Sequence, residues 1–314
     1  MSLFLRVYFN AVFGALGGLL GWALFGVFFD PQAPFSVVGW LLRGLVIGGS
    51  IGYFVVSVEA IRDRALVRFS TLASYGLVLG GLGGAIGMLV GEQVNTIVVG
   101  WVGADREGSF LFLLGSMIAR GLGWTFLGLA VGMSEGIAAR SLGRFSYGAI
   151  GGTIGGFVGG ALIALFFTLA RRADPNASML IPGALGLVIL GACIGSLLAL
   201  VTTVFQPASV KVLRGWQEGR EYPLDKPEVL LGRDEHADIA LFRDMRIQKK
   251  HAYVRRENNR FLLVNNDAPA DYTRVNGNPV ANFVELADGD EIQLGQVKLR
   301  FQLRQAQNRQ RRRR

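Results

Sequence analysis

Six long apolar stretches constrain this chain more than any other feature. They run at about Val7–Phe29, Val37–Val58, Thr71–Val94, Phe110–Met133, Tyr147–Leu169 and Leu180–Phe205. Each is near the roughly 20 residues that an α-helix needs to cross a bilayer core. Only helices or closed barrels satisfy their backbone groups in lipid, so runs of this length predict helices. The apolar excess ends before Pro207. The first run is longer than the roughly 7 to 15 residues of a signal-peptide core and is followed by further spans, so it is read as a membrane helix. Residues 1–206 are therefore expected to form a glycine-rich six-helix transmembrane domain, and 207–303 a soluble one.

An even number of spans places both ends on one side, and arginine indicates which. Arg6, Arg62, Arg64, Arg68, Arg140 and Arg144 fall in the head and in the second and fourth connections, against Arg106, Arg171 and Arg172 opposite. The majority marks the cytoplasm. The expected location is the cell membrane, multi-pass, with both termini and the soluble domain cytoplasmic.

The membrane half repeats itself. Glu59 to Phe69 (EAIRDRALVRF) returns as Glu135 to Phe145 (EGIAARSLGRF), and Arg43-Gly44 returns as Arg120-Gly121. Three helical hairpins of one pattern, all in the same direction, account for this. Glycine recurs every fourth residue, as at Gly44, Gly48 and Gly52 and at Gly152, Gly156 and Gly160. This glycine zipper bares one helix face, so another helix can approach closely, within the chain or in a homo-oligomer. Arg43 and Arg120 are charges inside spans, which raises a transport or gating role. Glu92, read as lying at the end of its span, gives them no acidic partner at matching depth.

Catalytic machinery is not visible. The chain has one cysteine, Cys193, and two histidines, His236 and His251. That excludes a metal-ligand cluster of the usual kinds and any disulfide framework. No Gly-Lys-Ser/Thr phosphate loop occurs either. A non-enzyme without cofactor or metal is the expectation.

Beyond Pro207 the pattern changes to short apolar runs, such as Glu228–Leu231, Asp238–Leu241, Phe261–Val264 and Val297–Phe301, separated by turn residues such as Asn258-Asn259 and Asp288-Gly289-Asp290. Short strands at this spacing predict an all-β sandwich with loops gathered at its ends. Within it stand Gly219 to Leu224 (GREYPL), Leu231-Gly232-Arg233, Asp238-Ile239, His251-Ala252, Val275-Asn276-Gly277 and Leu286 to Gly295 (LADGDEIQLG). Together these resemble a forkhead-associated (FHA) domain, a reader of phosphothreonine peptides.

The resemblance implies a phosphopeptide-binding site at Arg233, Gln248, Lys249, Lys250 and Asp271, with Gly232, His251, Asn276 and Gly277 as structural residues. Arg233 matches the family's phosphate-binding arginine, whose guanidinium offers forked donors and keeps its charge. Two positions depart from the family. Gln248 replaces the phosphate-binding serine and is longer, losing more rotamer freedom on binding. Asp271 replaces the peptide-binding asparagine, removing a donor and setting a carboxylate near a dianion, an interaction on the order of a few kcal/mol at ~4 Å and an effective dielectric near 20. Asn265 or Asn266 could supply the missing amide if the following loop is long.

Residues 304–314 end in four arginines and offer almost nothing to bury, which predicts a disordered basic tail. Held at a membrane it gains on the order of 1 kcal/mol per arginine from anionic lipid, so lipid is preferred to nucleic acid as its partner. The sequence reading is a membrane-anchored scaffold that recruits phosphorylated protein. Its alternatives are a channel or transporter regulated by the FHA-like domain, and a phosphate-independent assembly module with a degenerate site.

Overall fold

The computed structural model describes residues 3–28, 37–63, 66–102, 109–174, 180–257 and 260–303. The basic tail at 304–314 and the Asn258-Asn259 turn lie outside them. The chain divides into two compact units, one spanning Ser2–Val204 and the other containing Phe205–Arg314.

The first unit holds α1 (Leu3–Phe28), α2 (Val37–Asp63), α3 (Leu66–Val102), α4 (Phe110–Ala139), α5 (Leu142–Ala173) and α6 (Leu180–Phe205). All six are long and apolar enough to cross a membrane. The turn from α4 to α5 is as short as a helix pair permits: Arg140 takes a left-handed cap at φ 51° and Ser141 accepts from the Arg144 backbone N–H. Arg144 then reaches back to Glu135 at 2.8 Å. Gly136 faces the Phe145 backbone so closely that any side chain there would collide with it.

The glycines put the repeat into contact form. In the α2–α3 pair, Gly52 lies against the carbonyl of Gly76, Gly48 against Gly80 and Gly44 against Gly84. Seventy-six residues later the same pairs return between α4 and α5: Gly128 with Gly152, Trp124 with Gly156, and Arg120 with Gly160. The third such seam joins the last membrane helix to the first, with Gly191 against Gly14, Leu187 against Gly18 and Gly195 against Asn10. At every one of these contacts a Cβ on the glycine would strike a backbone carbonyl.

Further close contacts link α1 to α2, α3 to α4 and α5 to α6, for example Gly17 at Ile51, Gly87 at Gly123 and Gly155 at Ile194. The six helices thus close into a ring. Its interior is supplied chiefly by the even-numbered helices: Ile47, Ile51 and Val55 from α2, Trp124, Leu127 and Val131 from α4, and Leu190, Ile194 and Leu198 from α6. Ile51, Leu127 and Ile194 are completely buried. The buried serines return their hydroxyls to their own helices, Ser57 to the Tyr53 carbonyl and Ser134 to that of Val131.

One sequence expectation changes. α3 does not end near Val94 but continues to Val102, and the apolar window reaches Val98, so Glu92 lies inside the span. Glu92 is near enough to Arg120 for the two charges to interact. Arg120 also places its guanidinium over the Phe167 ring, and Arg43 over Phe25. Glu92 therefore lies within its span rather than at the end of it.

The second unit is a sandwich of two sheets. One has the order β2 (Glu221–Pro223), β1 (Ala208–Arg214), β11 (Val297–Leu303), β10 (Glu291–Leu294), β7 (Thr273–Val275) and β8 (Asn278–Pro279). The other runs β4 (Ile239–Ala240), β3 (Glu228–Gly232), β5 (Ala252–Glu257), β6 (Arg260–Asn265) and β9 (Phe283–Glu285). All pairings are antiparallel except β3 with β4. Alternate residues enter the core, as Val210 and Val212 of β1 and Leu299 and Phe301 of β11 do. Phe301 packs on Phe261 across the sheets, with ring centroids 5.3 Å apart.

Candidate functional site

Strand pairing gathers the chemistry at one end of the sandwich. Leu231 of β3 sits beside Ala252 of β5, and Ala252 beside Asn265 of β6. The segments after β3, before β5 and after β6 therefore emerge together. Arg233 lies on the first, Gln248, Lys249 and Lys250 on the second, and Asp271 on the third.

Backbone bonds fix the first two loops to each other. The Arg233 N–H donates to the Gln248 carbonyl at 2.9 Å and the Asp234 N–H to that of Lys249 at 3.3 Å. Gly232 must be glycine, because a side chain there would occupy the position of the Lys249 carbonyl. His251 lies beneath, completely buried. Its Nδ1 accepts from the Gln248 N–H at 3.1 Å, which leaves Nε2 to donate to Thr273 Oγ1 at 3.0 Å. The Thr273 hydroxyl donates onward to Asn265 Oδ1 at 3.3 Å. This chain ties all three loops together. Burial pushes the His251 imidazole below its ordinary pKa, against opposing pulls from a Tyr272 backbone bond and the Asp244 carboxylate.

The third loop is pinned by Asn265, whose amide donates to the carbonyls of Ala268, Val280 and Ala281. That amide is fully used and is not available to a ligand. Asn266 instead donates to the Lys250 carbonyl at 3.0 Å, clamping the second loop. Asp271 sits in a single 3-10 turn, Ala270–Tyr272, with its side chain 84% exposed and 3.7 Å from Arg274. Asn276-Gly277 forms the two-residue β7–β8 turn with φ of 51° and 84°, the positive values that such a turn requires. The Asn276 side chain donates to Asp290 and accepts from the Glu291 N–H.

The charges of this end are unevenly committed. Residues 207–303 hold fifteen basic and fifteen acidic side chains, a formal balance of zero. Yet three acids of the loops are occupied, while Glu235 and Asp271 stay exposed. Asp234 caps the His236 N–H at 3.0 Å, a bond that, with the His236 side chain, holds its carboxyl below the usual range. Asp244 accepts from the N–H groups of Arg246 and Gln296, and Asp238 from that of Leu230. Arg233 lies against the Met245 sulfur, a weak acceptor, and no carboxylate among the described residues pairs with it. Lys249 and Lys250 are exposed.

Residues 211–305 match the family described as the inner membrane component of the type III secretion system (T3SS), cytoplasmic domain. The C-terminal domain is a forkhead-associated domain. Similar solved structures include an FHA domain characterised for phosphothreonine-dependent interactions, at 28% identity over 31% of this chain and 96% of that one, TM-score 0.28. The FHA domain of the CT664 protein from Chlamydia trachomatis is 27% identical over 31% of this chain and 96% of that one, TM-score 0.28. The cytoplasmic domain of the T3SS sorting platform protein PscD from P. aeruginosa is 19% identical over 31% of this chain and 80% of that one, TM-score 0.28. No curated protein matches the chain. The match to the family covers the FHA domain and leaves the membrane helices outside it.

Two features of the FHA domain's loop end carry no signal in the sequence pattern. Asn265 acts as the anchor of the third loop, which only its three carbonyl partners reveal. Arg243 stacks on Trp216 at 3.4 Å from the ring centroid, a contact between residues far apart in sequence.

Proposed function

We propose that this protein is a membrane-anchored scaffold whose FHA domain recruits a phosphorylated protein to the cytoplasmic face, without catalysis. The observation that carries the reading is the set of cations Arg233, Lys249 and Lys250 on interlocked loops where Asp234, Asp238 and Asp244 are committed to backbone N–H groups. A dianion is the ligand that such a set favours, since charge-assisted bonds to phosphate are roughly twice as strong as neutral ones. The arginine bias of the connections supports a cytoplasmic FHA domain, where phosphorylated proteins occur. The apolar interior of the helix ring supports an anchor over a conduit.

The test uses the full chain in phosphatidylcholine nanodiscs, panned against peptides with a fixed phosphothreonine and against the same peptides unphosphorylated. Phosphate-dependent capture is expected, and Arg233→Ala should weaken it about ten- to a hundredfold, the loss of a charge-assisted contact worth roughly 1.5–3 kcal/mol. Equal capture of both libraries sinks the phosphate reading. A second reading, phosphate-independent assembly, is favoured by exposed Asp271 beside the site and by Gln248 at the serine position. That outcome would support it.

A further inference from the structure

At the same end of the FHA domain, the β1–β2 turn and the β4–β5 loop form a structure that the phosphate site does not use. Trp216 is 60% exposed and carries the Arg243 guanidinium on its ring. Beside it, exposed Phe242 borders a dimple of about 10 Å³, room for one water, over buried Val212, Leu241 and Val297.

The arrangement is held in place from several directions. Arg243 has φ of 74°, a left-handed conformation that a bulky residue rarely adopts without compensation. The compensation is visible: Asp244 accepts from the Gln296 N–H of the β10–β11 turn, and Leu241 N–H donates to the Gly232 carbonyl. The Trp216 turn is tied by Gly219 N–H to the Val212 carbonyl at 2.9 Å. No carboxylate among the described residues pairs with Arg243. A fixed guanidinium with free edge donors beside the exposed Trp216 and Phe242 rings is pre-organised to take a carboxylate together with an apolar side chain laid on those rings, so little ordering cost remains on binding.

We propose that the Trp216–Arg243 stack and the exposed Phe242 ring beside it are a second docking site, which takes an acidic segment of the protein partner bearing a large apolar residue next to an Asp or Glu. The site is continuous with the loops of the phosphate reading: Met245, two residues from Arg243, touches Arg233. One partner segment can therefore span both, and the two sites gain from each other as linked contacts do. Lipid insertion fits less well, because the Trp216 ring would have to carry its fixed charge into the bilayer. The inference rests on the scaffold reading but not on the phosphate itself.

The experiment pans full-length protein in phosphatidylcholine nanodiscs against peptides with a central phosphothreonine and randomised flanks, in parallel with a matched threonine library. Wild type should enrich an Asp or Glu adjacent to a large apolar residue at a constant offset. Trp216→Ala and Arg243→Gln should each remove that preference and weaken the selected peptides about tenfold, with the thermal transition of the FHA domain as the check on folding. Phosphothreonine selection should persist in both variants. Enrichment of the acidic-apolar pair in the threonine library as well would sustain the second site while removing the phosphate reading. No flank preference, or one indifferent to both substitutions, overturns the proposal. So does flotation with phosphatidylserine vesicles that falls in Trp216→Ala while peptide selection stays intact, which would make the surface a lipid contact.

Discussion

His251 shows how one buried side chain can hold three loops. With Nδ1 accepting from Gln248 and Nε2 donating toward Thr273, the ring is useful only when neutral. Its pKa is lowered in the folded state, so between that value and the ordinary value near 6.5 the unfolded chain binds the proton first. The stability due to His251 is present above about pH 6.5 and drains away as pH falls toward the lowered folded value. Melting the FHA domain across pH 5 to 7.5 should show that decline, and His251→Asn should flatten it while costing about 1–3 kcal/mol at neutral pH. At the binding surface, Gln248→Ser with Asp271→Asn restores a hydroxyl and an amide. Titration with a phosphothreonine peptide should show tighter binding by the pair than by wild type. If wild type binds tightly and the pair weakens it, the two residues serve another specificity. The Gly-Arg, His and Asn-Gly landmarks were legible because each is tied to a backbone requirement: a close approach at Gly232, positive φ at Asn276 and Gly277. The Trp216–Arg243 stack was not, since nothing local in either segment specifies its partner.

At the level of elements, apolar run length found all six helices but misjudged α3. Gln93, Asn95 and Thr96 lower the local hydropathy, yet helix bonds belong to the backbone, and Thr96 merely returns its hydroxyl to the Glu92 carbonyl. The glycine spacing predicted close approach but could not say which helix approached. The structure makes the seams specific, and substitutions should show it. Gly128→Val drives a branched side chain into the Gly152 carbonyl and should cost about 1–3 kcal/mol, read as a lowered thermal transition in detergent. Gly183→Ala meets only ordinary contact at Trp22 and should melt like wild type. A matched loss in both variants would mean that glycine composition, not seam position, sets stability.

For the whole molecule, the division into a membrane half and an all-β half was legible because lipid and water demand different composition from the same backbone. Topology is the testable part. In intact cells an impermeant thiol reagent should reach cysteines introduced at Ala33 and Asn176 but not at Arg140 or on the FHA domain. Labelling of the FHA domain from outside would overturn its cytoplasmic assignment. The α6–α1 seam offers a further check: in a Cys193→Ala background, Ala15→Cys with Ala192→Cys should cross-link within one chain, since the backbones at Gly14 and Gly191 touch. That seam also sets an order of assembly. α1 leaves the ribosome about 180 residues before α6 is complete, which at roughly 5–20 residues per second is on the order of ten to forty seconds. Throughout that time Asn10, Gly14 and Gly18 lack the surface they are shaped for. The ring can close only when the sixth helix arrives, so a chain truncated before it keeps an open glycine face on its first helix.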